Sequence, residues 1–145
     1  MKYFPYFYKI TIVRVLDGDT VEADFDLGFN ITHRVTVRLA GYDAPETFRP
    51  KTEREEVAGG ECKDHLEALL VAYESHGLYC KSTKIDLYGR STGILYFTHN
   101  DSGKYISIND LMASWIIAMG YNKAKLREKT LEEELRENDS WSPSA

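Results

Sequence analysis

The chain reads as a small α+β domain, a five-stranded β-barrel carrying three α-helices. Three observations point there. The first 42 residues hold three β-rich runs separated by turn signals. A stretch with apolar residues at helical spacing follows, and then two more strand-like runs precede two further helical stretches.

The first strand spans Tyr6 to Leu16, rich in β-branched and aromatic residues. Asp17-Gly18-Asp19-Thr20 is a tight turn, because Asp-Gly is a strong hairpin signal. The second strand covers Val21 to about Asp26, and Gly28 with Asn30 turns the chain again. The third covers His33 to Tyr42, with Val35, Val37 and Leu39 alternating against Thr36 and Arg38. Three consecutive antiparallel strands form a meander. Phe48 to Gly60, polar, charged and ending in glycine, reads as a mobile loop.

Cys62, Leu66, Leu69, Leu70 and Tyr73 then recur at helical spacing, which predicts a helix over 61–75 stopped near Gly77. Strands follow from Leu78 to Leu87 and from Gly93 to His99, around a Tyr88-Gly89-Arg90 turn. After a turn at Asn100-Asp101-Ser102-Gly103, Ser107 or Asn109 caps a second helix. Its stripe is Leu111, Met112, Trp115, Ile116 and Met119, and Gly120 ends it. A third helix, Ala124 to Asn138, is a charged surface helix, and residues 139–145 are a short tail. Strands in a three-plus-two order with a helix between the third and fourth are the pattern of an OB-fold barrel. Element order alone also admits other small α+β domains.

At 145 residues this is one domain, long enough for a core. No apolar run approaches the ~20 residues that span a bilayer, and Met1 to Lys9 lacks a signal-peptide apolar segment. The expectation is a cytoplasmic protein, although a leader already removed would leave the same chain. Cys62 and Cys80 are too few for a disulfide framework, and with four scattered histidines they give zinc no ligand spacing. The net charge of −5 argues against a protein that coats nucleic acid through bulk electrostatics. A nucleic-acid partner would have to be held locally and through a cation.

The chemistry gathers at Arg38-Leu39-Ala40-Gly41-Tyr42-Asp43-Ala44-Pro45-Glu46. A strand ends here in a bend made by Gly41 and Pro45, so Asp43 and Glu46 lie near the strand end with Arg38 on the same side. Two carboxylates and a guanidinium in one place suit phosphate chemistry. The competing reading is a polar turn with an incidental ion pair.

This motif, with Asp17-Gly18-Asp19-Thr20-Val21 before it and Asp86-Leu87-Tyr88-Gly89-Arg90 after it, resembles the thermonuclease family, the staphylococcal-nuclease-like domains. The order and separations match, and a weaker similarity extends to Asn109-Asp110-Leu111 and Met119-Gly120-Tyr121. The resemblance implies an OB-fold barrel with three helices and a calcium-dependent phosphodiesterase cutting DNA and RNA. By the same resemblance Asp19, Asp43 and the backbone carbonyl of Ala44 bind Ca2+, and Glu46 is the general base. Arg38 and Arg90 grip the phosphate, while Tyr88, Lys84 and Lys51 are candidates for substrate contact.

The chain also departs from better-known members. Ala44 stands where threonine often does, Leu87 where some have lysine, and no tyrosine clearly matches the one that contacts the nucleotide after the second helix. Phosphate contacts should be few, limited to Arg38, Arg90 and at most Arg49, Lys51 or Lys84, because the chain has no long basic track. The expected substrate is nucleic acid, preferentially single-stranded, cut by a monomer by default. The alternative is a non-catalytic domain of the same fold that binds nucleic acid or protein. A third reading makes the acidic last helix a docking face.

Overall fold

The structure, a computed structural model, describes residues 6–45, 53–85, 91–99 and 103–121. Six strands appear among them: β1 (Phe7–Asp17), β2 (Thr20–Asp26), β3 (Thr32–Leu39), β4 (Leu78–Ile85), β5 (Ser91–His99) and β6 (Lys104–Ser107). The helices are α1 (Glu53–Tyr73), between β3 and β4, and α2 (Ile108–Ala118), after β6. The expected meander is present, since β2 pairs antiparallel with both β1 and β3. β4 pairs antiparallel with β1 and with β5. A parallel pairing of Val37–Leu39 with Ser91–Gly93 joins β3 to β5 and closes a five-stranded barrel.

Two register shifts in β1, at Ile12/Arg14 and Val15/Asp17, let one strand serve two neighbours. Its start, Phe7–Ile10, pairs with β4, while the rest follows β2. Such bulges bend a strand and raise its twist, which a small closed barrel requires. β5 carries the other junction. One edge pairs first with β3 and then, from Tyr96 onward, with β6. Asn109 sits between those two partners, fully buried. Its Oδ1 accepts from Leu95 N at 3.0 Å, and its Nδ2 donates to the carbonyls of Ala40 at 2.8 Å and Gly93 at 3.1 Å. One amide side chain thus bridges backbone groups where the β3 ladder ends.

Inside the barrel, Val21, Ala23, Val37, Leu39 and Leu95 alternate inward. Ala58, Cys62, Leu66 and Leu70 of α1, spaced four apart, lie buried along one face of that helix. Ile108, Met112 and Ile116 of α2 join the same core. Both cysteines are buried and free, as expected for packing thiols. A smaller cluster covers β5's other side, where Ile94 and Tyr96 pack with Phe7, Tyr79 and Tyr105. β5 is therefore buried on both faces from Thr92 to Phe97.

Several expectations need correction. Residues 53–60, read as part of a mobile loop, are the first two turns of α1. The Gly59-Gly60 pair costs helix propensity, but Glu53, Glu55 and Glu56 in the first turn favour the positive end of the helix dipole. The helix ends at Tyr73 in a 3-10 turn, Glu74–His76, and Gly77 at φ +83° completes the stop. β3 ends at Leu39, not Tyr42, because the chain leaves the ladder at Ala40 and Gly41 turns it at φ +94°. β6 was not foreseen. Ser107 is the cap of α2, accepting from Asp110 N at 3.1 Å, and Asn109 has the barrel role instead. Met119 lies beyond the helix end and is exposed. The third helix over 124–138, the tail, the 86–90 motif and the start of the proposed loop lie outside the described residues.

Candidate functional site

Three hydrogen bonds tie the β1–β2 turn to the end of β3. Leu39 N donates to the Asp19 carbonyl at 2.7 Å. Ala44 N donates to Asp19 Oδ2 at 2.9 Å. The Tyr42 hydroxyl donates to the Gly18 carbonyl at 2.6 Å. The turn also lies close against α1: a Cβ on Gly18 would come 2.6 Å from Cys62 Cβ and 2.9 Å from Ala44 Cβ. Gly18 is absent from the positive-φ residues. The Asp-Gly signal marked the turn, but the glycine is needed there for space rather than for a left-handed backbone.

Within this frame Asp19 is almost fully buried, at 9% exposure. Its Oδ1 accepts from Thr20 Oγ1 at 2.9 Å, and its Oδ2 lies 3.3 Å from Arg38 Nη2. The same Nη2 donates to the Tyr42 carbonyl at 2.8 Å and to Asp43 Oδ1. Arg38 Nη1 donates to the Leu39 carbonyl. The guanidinium is therefore held by two carbonyls of its own strand end and lies between two carboxylates. Asp43, with half its side chain exposed, opens the cluster to solvent.

Burial raises the Asp19 carboxyl above the ordinary range. Arg38, the Ala44 amide and the Thr20 hydroxyl act against that rise, and the negative charge of Asp17 adds to it. A buried carboxylate whose charge is incompletely offset is a place where a cation gains. Tyr42, fully enclosed, has its phenol pushed well above the usual value by burial first and then by Asp19. Cys62 beside the turn is pushed up to about 12, again mainly by burial, so it is an inert packing thiol.

The structure thus brings together Asp19, Arg38, Asp43 and Ala44. Glu46, Tyr88, Arg90, Arg49 and Lys51 lie outside the described residues, as does the side chain of Lys84, whose backbone belongs to β4. Among the described residues no group of three His, Cys, Asp or Glu side chains converges as a metal shell. The site offers two carboxylates, so a bound cation would need carbonyl oxygens and water besides. Hard cations such as Ca2+ accept that mixture. Three contributors were not foreseen. Thr20 and the Ala44 amide orient Asp19, and the Tyr42 hydroxyl ties the two loops together. All three lie inside the quoted motifs, but nothing in the chain showed which groups they would meet.

The class this fold and site define is an α+β domain with a closed, OB-like five-stranded barrel and a carboxylate–guanidinium cluster at one end. No family model matches the chain, and no curated protein matches it. No helix among the described residues is long and apolar enough to cross a membrane.

Proposed function

We propose that this protein is a calcium-dependent nuclease of the staphylococcal-nuclease-like kind, hydrolysing phosphodiester bonds in DNA or RNA. The observation that carries the reading is the shared guanidinium nitrogen. Arg38 Nη2 contacts Asp19 and Asp43, which come from two of the three motifs that carry the resemblance. An incidental surface pair would not need a buried aspartate with an oriented hydroxyl and amide on its two oxygens.

In this reading Asp19, Asp43 and the Ala44 carbonyl hold the ion. Bound Ca2+ would supply positive charge beside the scissile phosphate and orient it. Arg38, fixed by the Leu39 and Tyr42 carbonyls, presents donors to phosphate oxygens with little freedom left to lose. Glu46 takes the proton of the attacking water, and Arg90 stabilises charge on the pentacoordinate transition state. The chain's net charge of −5 favours a short, flexible single strand over a stiff duplex, since few phosphates can be neutralised. The same charge is the observation that favours the competing reading, a non-catalytic domain of this fold.

The test is cleavage of a short single-stranded oligonucleotide by the purified protein, with calcium and with a calcium chelator. Calcium-dependent cleavage is expected. Arg38→Ala should lower kcat by about 10²–10³-fold while KM changes little, because its contacts strengthen as charge develops. No cleavage of single- or double-stranded DNA or RNA at any calcium level would overturn the proposal in favour of the binding domain.

A further inference from the structure

We infer that Tyr42 is a positioning residue: its hydroxyl, bonded to the Gly18 carbonyl, sets the spacing of the Asp19 and Asp43 carboxylates and so the affinity for a cation. This rests on the calcium reading above and extends it to a residue that would touch neither ion nor substrate.

Tyr42 is 2% exposed. Enclosing a phenol is unfavourable unless its hydroxyl finds a partner, and an apolar side chain could fill much of the same space without that penalty. The hydroxyl has a partner 2.6 Å away, and the identity of that partner is informative. Gly18 immediately precedes Asp19, and Tyr42 immediately precedes Asp43. One side-chain bond therefore joins the backbone next to one carboxylate to the backbone next to the other, 24 residues apart.

The remaining ties act elsewhere. Ala44 N holds the Asp19 side chain, and Leu39 N holds the Asp19 carbonyl. Neither fixes the Gly18 side of the turn. Tyr42 also restrains the guanidinium, because its own carbonyl accepts from Arg38 Nη2 at 2.8 Å. The left-handed Gly41, at φ +94°, turns the chain so that Tyr42 re-enters the core directly before Asp43 emerges. Outer residues that orient ligands in this way alter metal affinity by about 10–100-fold when removed.

The experiment is calorimetric titration of calcium chloride into wild type, Tyr42→Phe and Ile116→Val, each kept well below its unfolding midpoint. Ile116 is a fully buried α2 residue of the same core that makes none of the hydrogen bonds joining the turn to the β3 end, so it supplies a loss of packing alone. The expected result is one site in wild type, about tenfold weaker binding in Tyr42→Phe, and unchanged binding in Ile116→Val. Equal affinity in wild type and Tyr42→Phe would overturn the inference and leave the calcium reading standing. Equal weakening in both variants would also overturn it, since loosening of the core would then suffice. No calcium binding by wild type would overturn the inference together with the reading beneath it. Should Tyr42→Phe fail to fold, exchange of the Tyr42 hydroxyl proton in wild type decides. It should slow on calcium saturation, and unchanged exchange would overturn the inference.

Discussion

Gly18→Ala is the substitution that tests the architecture of the site most directly. The added Cβ would lie 2.6 Å from Cys62 Cβ, 2.9 Å from Ala44 Cβ and 3.2 Å from the Cys62 carbonyl carbon, where ordinary contact begins at 3.4 Å. None of these atoms is the tip of a flexible side chain, so no rotamer change relieves the overlap. The turn must move away from α1 or α1 must move away from the barrel. Overpacking of that kind costs about 1–3 kcal/mol, and contacts with backbone and Cβ atoms place this case in the upper half, about 2–3 kcal/mol. For a chain of this size that lowers Tm by roughly 4–12 °C.

Gly60→Ala is the control from the same region. It sits inside α1, and an added Cβ there meets nothing within 4 Å. Relief of the glycine penalty in a helix should stabilise it by about 0.5–1 kcal/mol. Urea unfolding followed by tryptophan fluorescence measures both, with equal slopes required for the comparison. Pairing Gly18→Ala with Ala44→Gly should recover part of the loss, because it removes one of the two overlapping Cβ atoms. A Gly18→Ala protein within about 0.5 kcal/mol of wild type would refute the claim that the turn is wedged between α1 and the β3 end.

Two further outcomes follow from the same packing. Asn109→Ala should cost about 2–4 kcal/mol by urea unfolding, since it leaves the buried Leu95 amide without its partner and opens the β3–β5 junction; a loss under about 1 kcal/mol would show that the junction closes without it. His65 stacks on Trp115 at 4.1 Å, and burial lowers its pKa below the ordinary 6.5. Its contribution to stability is therefore complete above the unfolded value and is lost as pH falls from there through the folded value. A proton NMR titration should place its midpoint below that of an unfolded histidine, and His65→Phe should remove that part of the pH dependence.

The local pattern determined most of the barrel. Alternation in Val35, Val37 and Leu39 and the Asp-Gly turn placed the meander within a few residues, because strand period and turn chemistry are local properties. α1 was half legible. Cys62, Leu66 and Leu70 announced it, and Ala58 extends the same four-residue stripe backward. The charges and the glycine pair around Ala58 masked that signal, since their cost is outweighed only once the helix packs on the barrel.

By resemblance the chain grouped Asp19, Arg38, Asp43, Ala44, Glu46 and Arg90 as one site, and the structure brings the first four together. It could not show what holds them. That Gly18 serves space rather than backbone freedom, that Tyr42 reaches its carbonyl, and that Asn109 bridges β3 and β5 instead of capping a helix all depend on residues far apart in the chain. Side-chain partners of this sort are chosen by which backbone groups the closed barrel leaves unpaired, and that is settled only when the strands have met.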